Sequence, residues 1–368
     1  MADNTGFRVL VTGVGFLGRN LSLALKDKHP QWKIDALDIR PPDGDLRQNI
    51  DTFIHADIKS SESVNTAFAT CDYRPDLVVH TAGIVPSRQS RYSTRSEDWD
   101  RVKAVNYNGT VNILHATLAS GCKHFIYTSS VTAVIDDLDH DYNNMSEDTA
   151  PTTLATLHYG KSKALAEAFV LSPSHAEQGL KACALRPCTI IGPDDTQVIS
   201  LLHDLIAKGE TSFILGNGHN LSDWMYIDNA VHAHILAIEN LLLGPQTAAG
   251  QTFFVTNQEP VYFWDFLAYV WAQLGHTPRF RLRIPLGLAF VLAFILELLT
   301  WVMGTPATLH RGSVKDGTRS YYASNEEAIR VLGYRPIVGM SEGIRRSCEG
   351  YKSQLAERAT LKEEGTQG

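Results

Sequence analysis

The first half of the chain predicts an α/β fold, a doubly wound parallel sheet, and three observations carry that expectation. A β-branched run, Phe7-Arg-Val-Leu-Val-Thr12, passes through Gly13-Val-Gly15-Phe-Leu-Gly18 into a helical pattern of Leu21, Leu23 and Leu25. A second run, Lys33-Ile-Asp-Ala-Leu-Asp38, ends in an acid 20 residues beyond Gly18. Short apolar runs then alternate with helical stretches and short loops, the rhythm of strands that pair in parallel.

Strand, glycine turn and helix, in that order, are the context a G-x-G-x-x-G match requires. Without it the glycines would be an ordinary tight loop. Gly13, Gly15 and Gly18 let the backbone approach a pyrophosphate, and the free N–H groups opening the helix bind the anion. Phe16 and Leu17, inside the same turn, count with them as cofactor-binding positions. Asp38 has the spacing of an acid that grips the adenosine ribose hydroxyls. A carboxylate there repels a 2′-phosphate and favours NAD; Arg40 keeps NADP as the alternative.

The next elements continue the sheet. Thr52-Phe-Ile-His-Ala-Asp57 reads as a third strand, with Asp57 and Ile58 toward the adenine. Asp76-Leu-Val-Val-His80 reads as a fourth, leaving at Thr81-Ala82-Gly83 beside the cofactor's central ribose. A helix follows from Val105 to Leu118, with Asn106 read as a structural tie. His124–Thr128 is a strand ending in Ser129-Ser130, and Lys181–Arg186 is another, leading to Pro187–Pro193. Ligands of such sheets lie outside the carboxyl ends of the strands, where Ser130 falls.

Between these two strands lies Tyr159-Gly-Lys-Ser-Lys163. Residues four apart share a helix face. A lysine ammonium beside a phenol favours the phenolate, which makes a base usable near neutral pH. A bare Tyr-x-x-x-Lys is common and by itself reads as a solvated helix face. With a dinucleotide turn and a strand-end serine it reads as a proton acceptor, Ser130 orienting the substrate oxygen and Ser129 replacing it if the register slips by one.

Composition bounds the rest. The chain has 368 residues, 44% apolar, with a net charge of −7, so nucleic acid is not an expected partner. The five cysteines, Cys71, Cys122, Cys183, Cys188 and Cys348, are odd in number and lack metal spacing, as reduced core thiols do. His80, His158, His232 and His234 show no ligand pattern, and Asp136–Asp141 lacks the glycine and final Glu of a calcium loop. It reads as a solvated flap, and no metal is expected. The N-terminus has no charged segment leading into an apolar one, so no signal peptide is expected.

Ile284 to Met303 is apolar apart from Glu297 and Thr300, with Pro285 suited to a first helical turn. Arginines 279, 281 and 283 precede it, and Arg311 and Lys315 follow, so the flanking charge sets no orientation. The expectation is a helix lying on a membrane face; the alternative is a buried helix lining an apolar cleft. The organisation expected is a dinucleotide-binding Rossmann domain over 1–193, a substrate-binding region over 194–350 with 223–257 returning to the first domain, and a polar tail over 351–368.

These motifs together resemble the extended short-chain dehydrogenases/reductases: Thr12–Gly18, Tyr127-Thr-Ser-Ser130, Tyr159-x-x-x-Lys163, and Leu185-Arg-Pro187 with Ile191-Gly-Pro193. Thr12 departs from the pattern, since many members carry a glycine there. Ser222–Leu236 resembles a segment of the 3β-hydroxysteroid dehydrogenase/isomerase family. Gly250–Pro260, Phe263–Phe266, Tyr321–Ala328 and Leu332–Pro336 look like stretches of the sterol-4α-carboxylate 3-dehydrogenases (decarboxylating). The resemblance implies Tyr159, Lys163 and Ser130 as catalytic residues. It implies NAD-dependent oxidation of a 3β-hydroxyl on a sterol or terpenoid, with loss of carbon dioxide when a 4α-carboxylate is present. It also implies the cytosolic face of the endoplasmic reticulum or a lipid droplet. The partners expected are an apolar small molecule, a membrane surface and, as an open option, a second copy in a homodimer. A dehydrogenase that does not decarboxylate, a nucleotide-sugar epimerase or dehydratase, and a non-catalytic dinucleotide sensor are the alternatives. The first lacks only the carbon dioxide step, the second has no use for the apolar segment, and the third has no need of the Tyr/Lys/Ser trio.

Overall fold

Arg8–Thr12 (β1) is buried from Val9 onward, and a strand covered on both faces needs parallel neighbours with helices above and below. It has them. Lys33–Asp38 (β2), Thr52–His55 (β3), Leu77–His80 (β4), His124–Thr128 (β5), Lys181–Pro187 (β6) and Thr252–Val255 (β7) complete a seven-stranded sheet. The order is β7-β6-β5-β4-β1-β2-β3, every pair parallel. The computed structural model describes residues 6–366, less 43, 70–73, 88–89, 136, 150–151, 153–156, 196 and 304–308.

The strand order reverses between β1 and β4, and the crevice outside that reversal is where such sheets bind ligands. Gly13 and Thr81 are the first residues beyond the two strands. Gly13 N–H donates to Leu37 O at 2.7 Å and Thr81 N–H to Thr12 O at 2.9 Å, so both turns are anchored to the sheet. On one face the helices Phe16–Lys28 and Ile227–Leu242 bury Leu21, Leu25, Val231 and Ile235 against it. On the other, Gly109–Ala119 and His158–Val170 bury Ile113, Leu114, Ala166 and Val170.

Residues 223–257 contribute the helix Ile227–Leu242 and the edge strand β7 to this first unit. The remaining chain forms a small four-stranded sheet from Tyr142–Met145, Leu221–Ser222, Val261–Tyr262 and Tyr321–Ala323. Beside it is a helical core in which Leu202, Phe266, Trp271, Ile344 and Cys348 meet. The segment read as a polar tail is helical: Met340–Thr366 is one continuous helix. Cys122, Cys183, Cys188 and Cys348 are buried free thiols, whereas Cys71 lies outside the described residues.

The apolar segment differs from the expectation in its bounds, and from the alternative reading in its burial. Ile284 belongs to a short strand, Leu282–Ile284, so the helix is Leu286–Met303, 18 residues. At 1.5 Å per residue that is about 27 Å, short of a bilayer core of roughly 30 Å. Among the described residues no helix is long and apolar enough to cross a membrane. Nor does it line a buried cleft, the alternative reading. Ala289 and Ala293 are buried against Val314, while Leu288, Val291, Phe294 and Leu298 are each more than half exposed. Two alanines one turn apart let the helix sit close to the protein; Phe290 packs beside them, and most of the other large side chains point away.

Candidate active site

The glycine turn is built for close approach. Gly13 has φ +84°, and a Cβ there would stand 2.3 Å from Cα of Ala82, so this position excludes any side chain. A Cβ on Gly15 would meet nothing within 4 Å: the backbone is open on that side. The helix beginning at Phe16 has no side-chain cap and no acid in its first turn, leaving its N–H groups free for an anion. The side chains of Phe16 and Leu17 pack toward the core, so only their backbone faces the turn. Asp38 sits at the mouth, accepting from Val14 N–H and Arg40 N–H at 2.9 Å each. Asp57 caps the next turn, accepting from Lys59 N–H at 3.0 Å. Ile58 is buried; a Cβ on Gly109 would come within 2.7 Å of its Cδ1.

Thr12 has a reason of its own. Its Oγ1 lies 2.5 Å from His80 Nδ1, and His80 Nε2 lies 3.0 Å from Thr110 Oγ1. Thr110 donates to Asn106 O at 2.7 Å. Its hydroxyl therefore accepts from His80 Nε2–H, and Thr12 donates to Nδ1. Burial, with the charge of Lys163 added, pushes this imidazole down to about 3, so it is neutral. A glycine at position 12 would leave Nδ1 unpartnered.

Asn106 ties the β4 exit loop to the Tyr159 helix. It exchanges hydrogen bonds with Ile84 N–H and O at 2.8 and 3.0 Å, and its Nδ2 reaches Ser162 Oγ at 3.0 Å. It occupies a π-helical turn, Ala104–Asn108, that opens the helix expected at Val105; such turns are frequent at functional sites.

Tyr159, Lys163 and Ser130 converge. The helix His158–Val170 lies hard on the turn Val131–Val134, since a Cβ on Gly160 would meet Thr132 O at 2.6 Å. That contact sets Tyr159 beside Ser130. Thr132 donates its N–H and its hydroxyl to Ser130 Oγ at 3.2 and 3.0 Å. With both acceptor sites used, the serine proton is left to donate. Ser129 is turned the other way and gives its proton to Glu167 Oε2 at 2.6 Å. Glu167 in turn holds Arg186, Nη2 to Oε1 at 2.6 Å, both side chains 1% exposed. Lys163 Nζ donates to Thr128 O at 2.8 Å and lies 5.9 Å from the Tyr159 ring centre.

Burial dominates the electrostatics of the protein alone. Burial pushes Tyr159 up to about 12, against which a hydrogen bond with Ser130 and the charge of Arg91 pull it down. The Lys163 ammonium is lowered by burial to about 8, offset in part by Glu167. In the protein alone, desolvation outweighs the phenol–lysine effect.

A match to the 3-beta hydroxysteroid dehydrogenase/isomerase family model spans residues 9–286. The chain belongs to that family. It is 33% identical to the decarboxylating sterol-4-alpha-carboxylate 3-dehydrogenase of Schizosaccharomyces pombe, over 92% of this chain and 96% of the relative. It is 31% identical to the enzyme of that name from Mus musculus, over 93% and 90%. Among solved structures it is similar to UDP-glucose 4-epimerase of Thermotoga maritima, with TM-score 0.69, 20% identity and coverage of 95% and 99%. That likeness is one of fold, the extended form of the short-chain dehydrogenase/reductase architecture.

The sequence reading missed a group brought in from far along the chain. Arg91 and Tyr92 reach Asp316, some 225 residues away, and Arg319 joins them. No local spacing links the pair Arg91-Tyr92 to the pair Asp316 and Arg319. The acidic stretch 137–141 also joins this region: Asp139 pairs with Lys315, and Asp141 accepts from Ser320 N–H at 2.7 Å. The stretch is solvated, Asp139 being 59% exposed, and it is braced at these two contacts. Asp136 lies outside the described residues.

Proposed function

We propose that the protein oxidises the 3β-hydroxyl of a sterol or related terpenoid with NAD+, and that a carboxylate on the neighbouring carbon is then lost as carbon dioxide. The observation that carries this is the meeting of Tyr159, Lys163 and Ser130 next to the glycine turn, in a member of a family whose relatives bear the sterol carboxylate name.

The turn fits a dinucleotide: Gly13 cannot carry a side chain, a Cβ on Gly15 would fill open space, and the helix start is uncapped. In this reading Gly13, Gly15, Gly18 and the N–H groups of Phe16 and Leu17 hold the pyrophosphate, and Asp38 the adenosine ribose. Asp57 and Ile58 border the adenine, and Ala82 and Lys163 the second ribose. Asp38 favours NAD over NADP by charge. When bound, the nicotinamide ring supplies the hydride acceptor.

Tyr159 takes the hydroxyl proton onto its phenolate oxygen. Ser130 donates to the same substrate oxygen and holds it in line. A base held near 12 by burial needs help at neutral pH; Ser130 gives it in the free protein, and the charge of Arg91 and the cationic charge of an oxidised cofactor act in that direction once Ser130 has turned its proton to the substrate. Oxidation beside a carboxylate gives a β-keto acid. The new ketone accepts the electrons of the breaking carbon–carbon bond as an enolate, so carbon dioxide leaves without a further catalytic group. Tyr159→Phe tests the role: turnover should fall by at least a thousandfold while NAD+ still quenches tryptophan fluorescence at an unchanged concentration. Retained turnover refutes the assignment.

The reading extends to a membrane surface. A contiguous row of exposed apolar side chains on Leu286–Met303 suits a helix lying in the interface, where a sterol also resides. Sterol chemistry supports the cytosolic side of the endoplasmic reticulum or a lipid droplet as its location.

A further inference from the structure

A pocket of about 400 Å³ shares no residue with the site around Tyr159. One wall is a ribbon of two short parallel strands, Phe213–Leu215 and Leu282–Ile284, in which Arg283 lies opposite Ile214 and Leu282 opposite Phe213. Arg281, Arg283, Asp265, His219, Tyr262 and Trp264 converge on it. Arg283 stands three residues before Leu286, where the apolar helix begins.

The ribbon is two-faced. Successive side chains of a strand point to opposite sides, so Arg283 and Ile214 face the pocket while Leu282 and Phe213 face away from it. On that far side Leu282 and Phe213 are exposed, and Phe280, just before the strand, is exposed too. Exposed apolar side chains continue at Leu286 and Leu288 on the helix. An element lying in a bilayer interface turns its apolar face to the acyl chains and its cations to the phosphates at the surface. The ribbon has that division.

The pocket side carries spare positive charge. Asp265 is the one acid on its wall, so two guanidiniums against one carboxylate leave one charge over. Arg281 meets Asp265 only at 4.0 Å, with 47% of its side chain accessible, and among the described residues no carboxylate pairs with Arg283. Tyr262 is exposed and its ring lies 6.0 Å from that of His219. Trp264 spends its indole N–H on Gly317 O at 3.1 Å, which leaves it an apolar wall. Gly218, with φ +75°, keeps one corner free of a side chain; a Cβ there would stand 3.1 Å from Ile214 Cγ2. Paired guanidinium forks match the oxygens of a phosphate, and Tyr and Trp are the aromatic residues of membrane–water interfaces.

We propose that this pocket seats the phosphate of an anionic phospholipid headgroup between Arg281 and Arg283, with the Tyr262 hydroxyl and the His219 ring as further polar partners. The occupant is a lipid because the arginines lie on the chain that runs directly into the apolar helix, and because the other face of their ribbon is apolar and exposed. The seat depends on the membrane contact proposed above and not on the sterol chemistry. It makes that contact selective for negatively charged surfaces and fixes one end of the helix on them.

The test is flotation of the full chain with two kinds of vesicle, phosphatidylcholine alone and phosphatidylcholine with about 20% phosphatidylinositol. A basic side chain close to an anionic surface is worth about fivefold in affinity, so two amount to roughly twenty-fivefold. Wild type should prefer the anionic vesicles by about that factor. The double variant Arg281→Gln, Arg283→Gln should lose most of the preference and keep its binding to phosphatidylcholine. Arg279→Gln removes an equal charge from outside the pocket; it should cost less than half of what Arg283→Gln costs, and equal losses mean a diffuse field and overturn the seat. Arg283→Lys keeps the charge but loses the forked contact, so a several-fold loss is expected, and an unchanged preference overturns the seat. Should the double variant fail to fold, Arg283→Lys reads the same selectivity. Wild type that floats equally with both vesicles refutes the seat and leaves the membrane contact standing. Wild type that floats with neither refutes the contact, and the seat falls with it. Glycerol phosphate that raises the Tm of wild type and not of the double variant, with no vesicle preference, makes the occupant a free phosphate and overturns the lipid assignment.

Discussion

Arg186→Met offers a clear test of what holds the strand ends in register. Arg186 lies on β6, and its guanidinium makes three contacts of 2.6 to 3.2 Å with Glu167 on the Tyr159 helix. Both are 1% exposed, so solvent screens little of the pairing. Removing the cation leaves Glu167 as a buried, uncompensated charge, a loss of about 3–5 kcal/mol. For a chain of this size that corresponds to a fall in Tm of roughly 5–15 °C. Replacing both partners, Arg186→Met with Glu167→Leu, removes the stranded charge, and apolar replacements of buried pairs are often neutral. The double variant should therefore melt above the single one, less about 1 kcal/mol for the hydrogen bond Ser129 loses. Differential scanning calorimetry on the three proteins decides it. If Arg186→Met melts within about 2 °C of wild type, or the double variant melts below the single one, the ion pair does not do what the geometry says.

Other consequences follow from single groups. Asp223 is buried, with one oxygen unpartnered, and burial raises it from 3.8 to about 7. The folded state then binds more protons than the unfolded one between those values, so stability falls as pH rises through that window, by roughly 4 kcal/mol in all. Asp223→Asn should leave stability unchanged near pH 4 and raise it at pH 8, read from urea midpoints; an equal effect at both pH values contradicts this. Ser130→Ala removes a hydrogen bond that lowers Tyr159, so the rising limb of kcat/KM against pH should move to higher pH, alongside a loss in kcat. A limb that stays in place excludes Ser130 as the tuning group. Ile295→Glu, on the exposed face of the apolar helix, should reduce flotation with phosphatidylcholine vesicles while leaving Tm within about 1 °C, because nothing buried is disturbed. Undiminished flotation would remove that helix from the membrane contact, and a chain of twice the monomer mass in detergent-free buffer would mean a second copy covers it.

What could be read from the sequence was what lies close along it. The strands β1, β2 and β5 and the glycine turn are set by patterns of a few residues, and the structure has them within a residue or two of the expected bounds. The Tyr159–Lys163 pairing is one helical turn and equally local. What could not be read depends on residues with no spacing in common. Ser129 is engaged by Glu167, whose own partner Arg186 is on another strand, and no spacing in the sequence announces that. Thr12 departs from the usual glycine because of His80, 68 residues on. The burial that raises the Tyr159 phenol in the protein alone is a property of the fold, which a spacing of four residues does not carry. The apolar segment was ambiguous between lipid and core until Ala289 and Ala293 were seen to be the buried face.

The central claim is oxidation coupled to loss of carbon dioxide at a site built on Tyr159, Lys163 and Ser130. The direct measurement incubates the protein with NAD+ and a 4α-carboxy-3β-hydroxysterol labelled in its carboxyl group, following NADH by absorbance and labelled carbon dioxide by trapping. The two should appear in equal amounts, and both should vanish in Tyr159→Phe. NADH without labelled carbon dioxide would contradict the decarboxylation, and neither product would contradict the account as a whole.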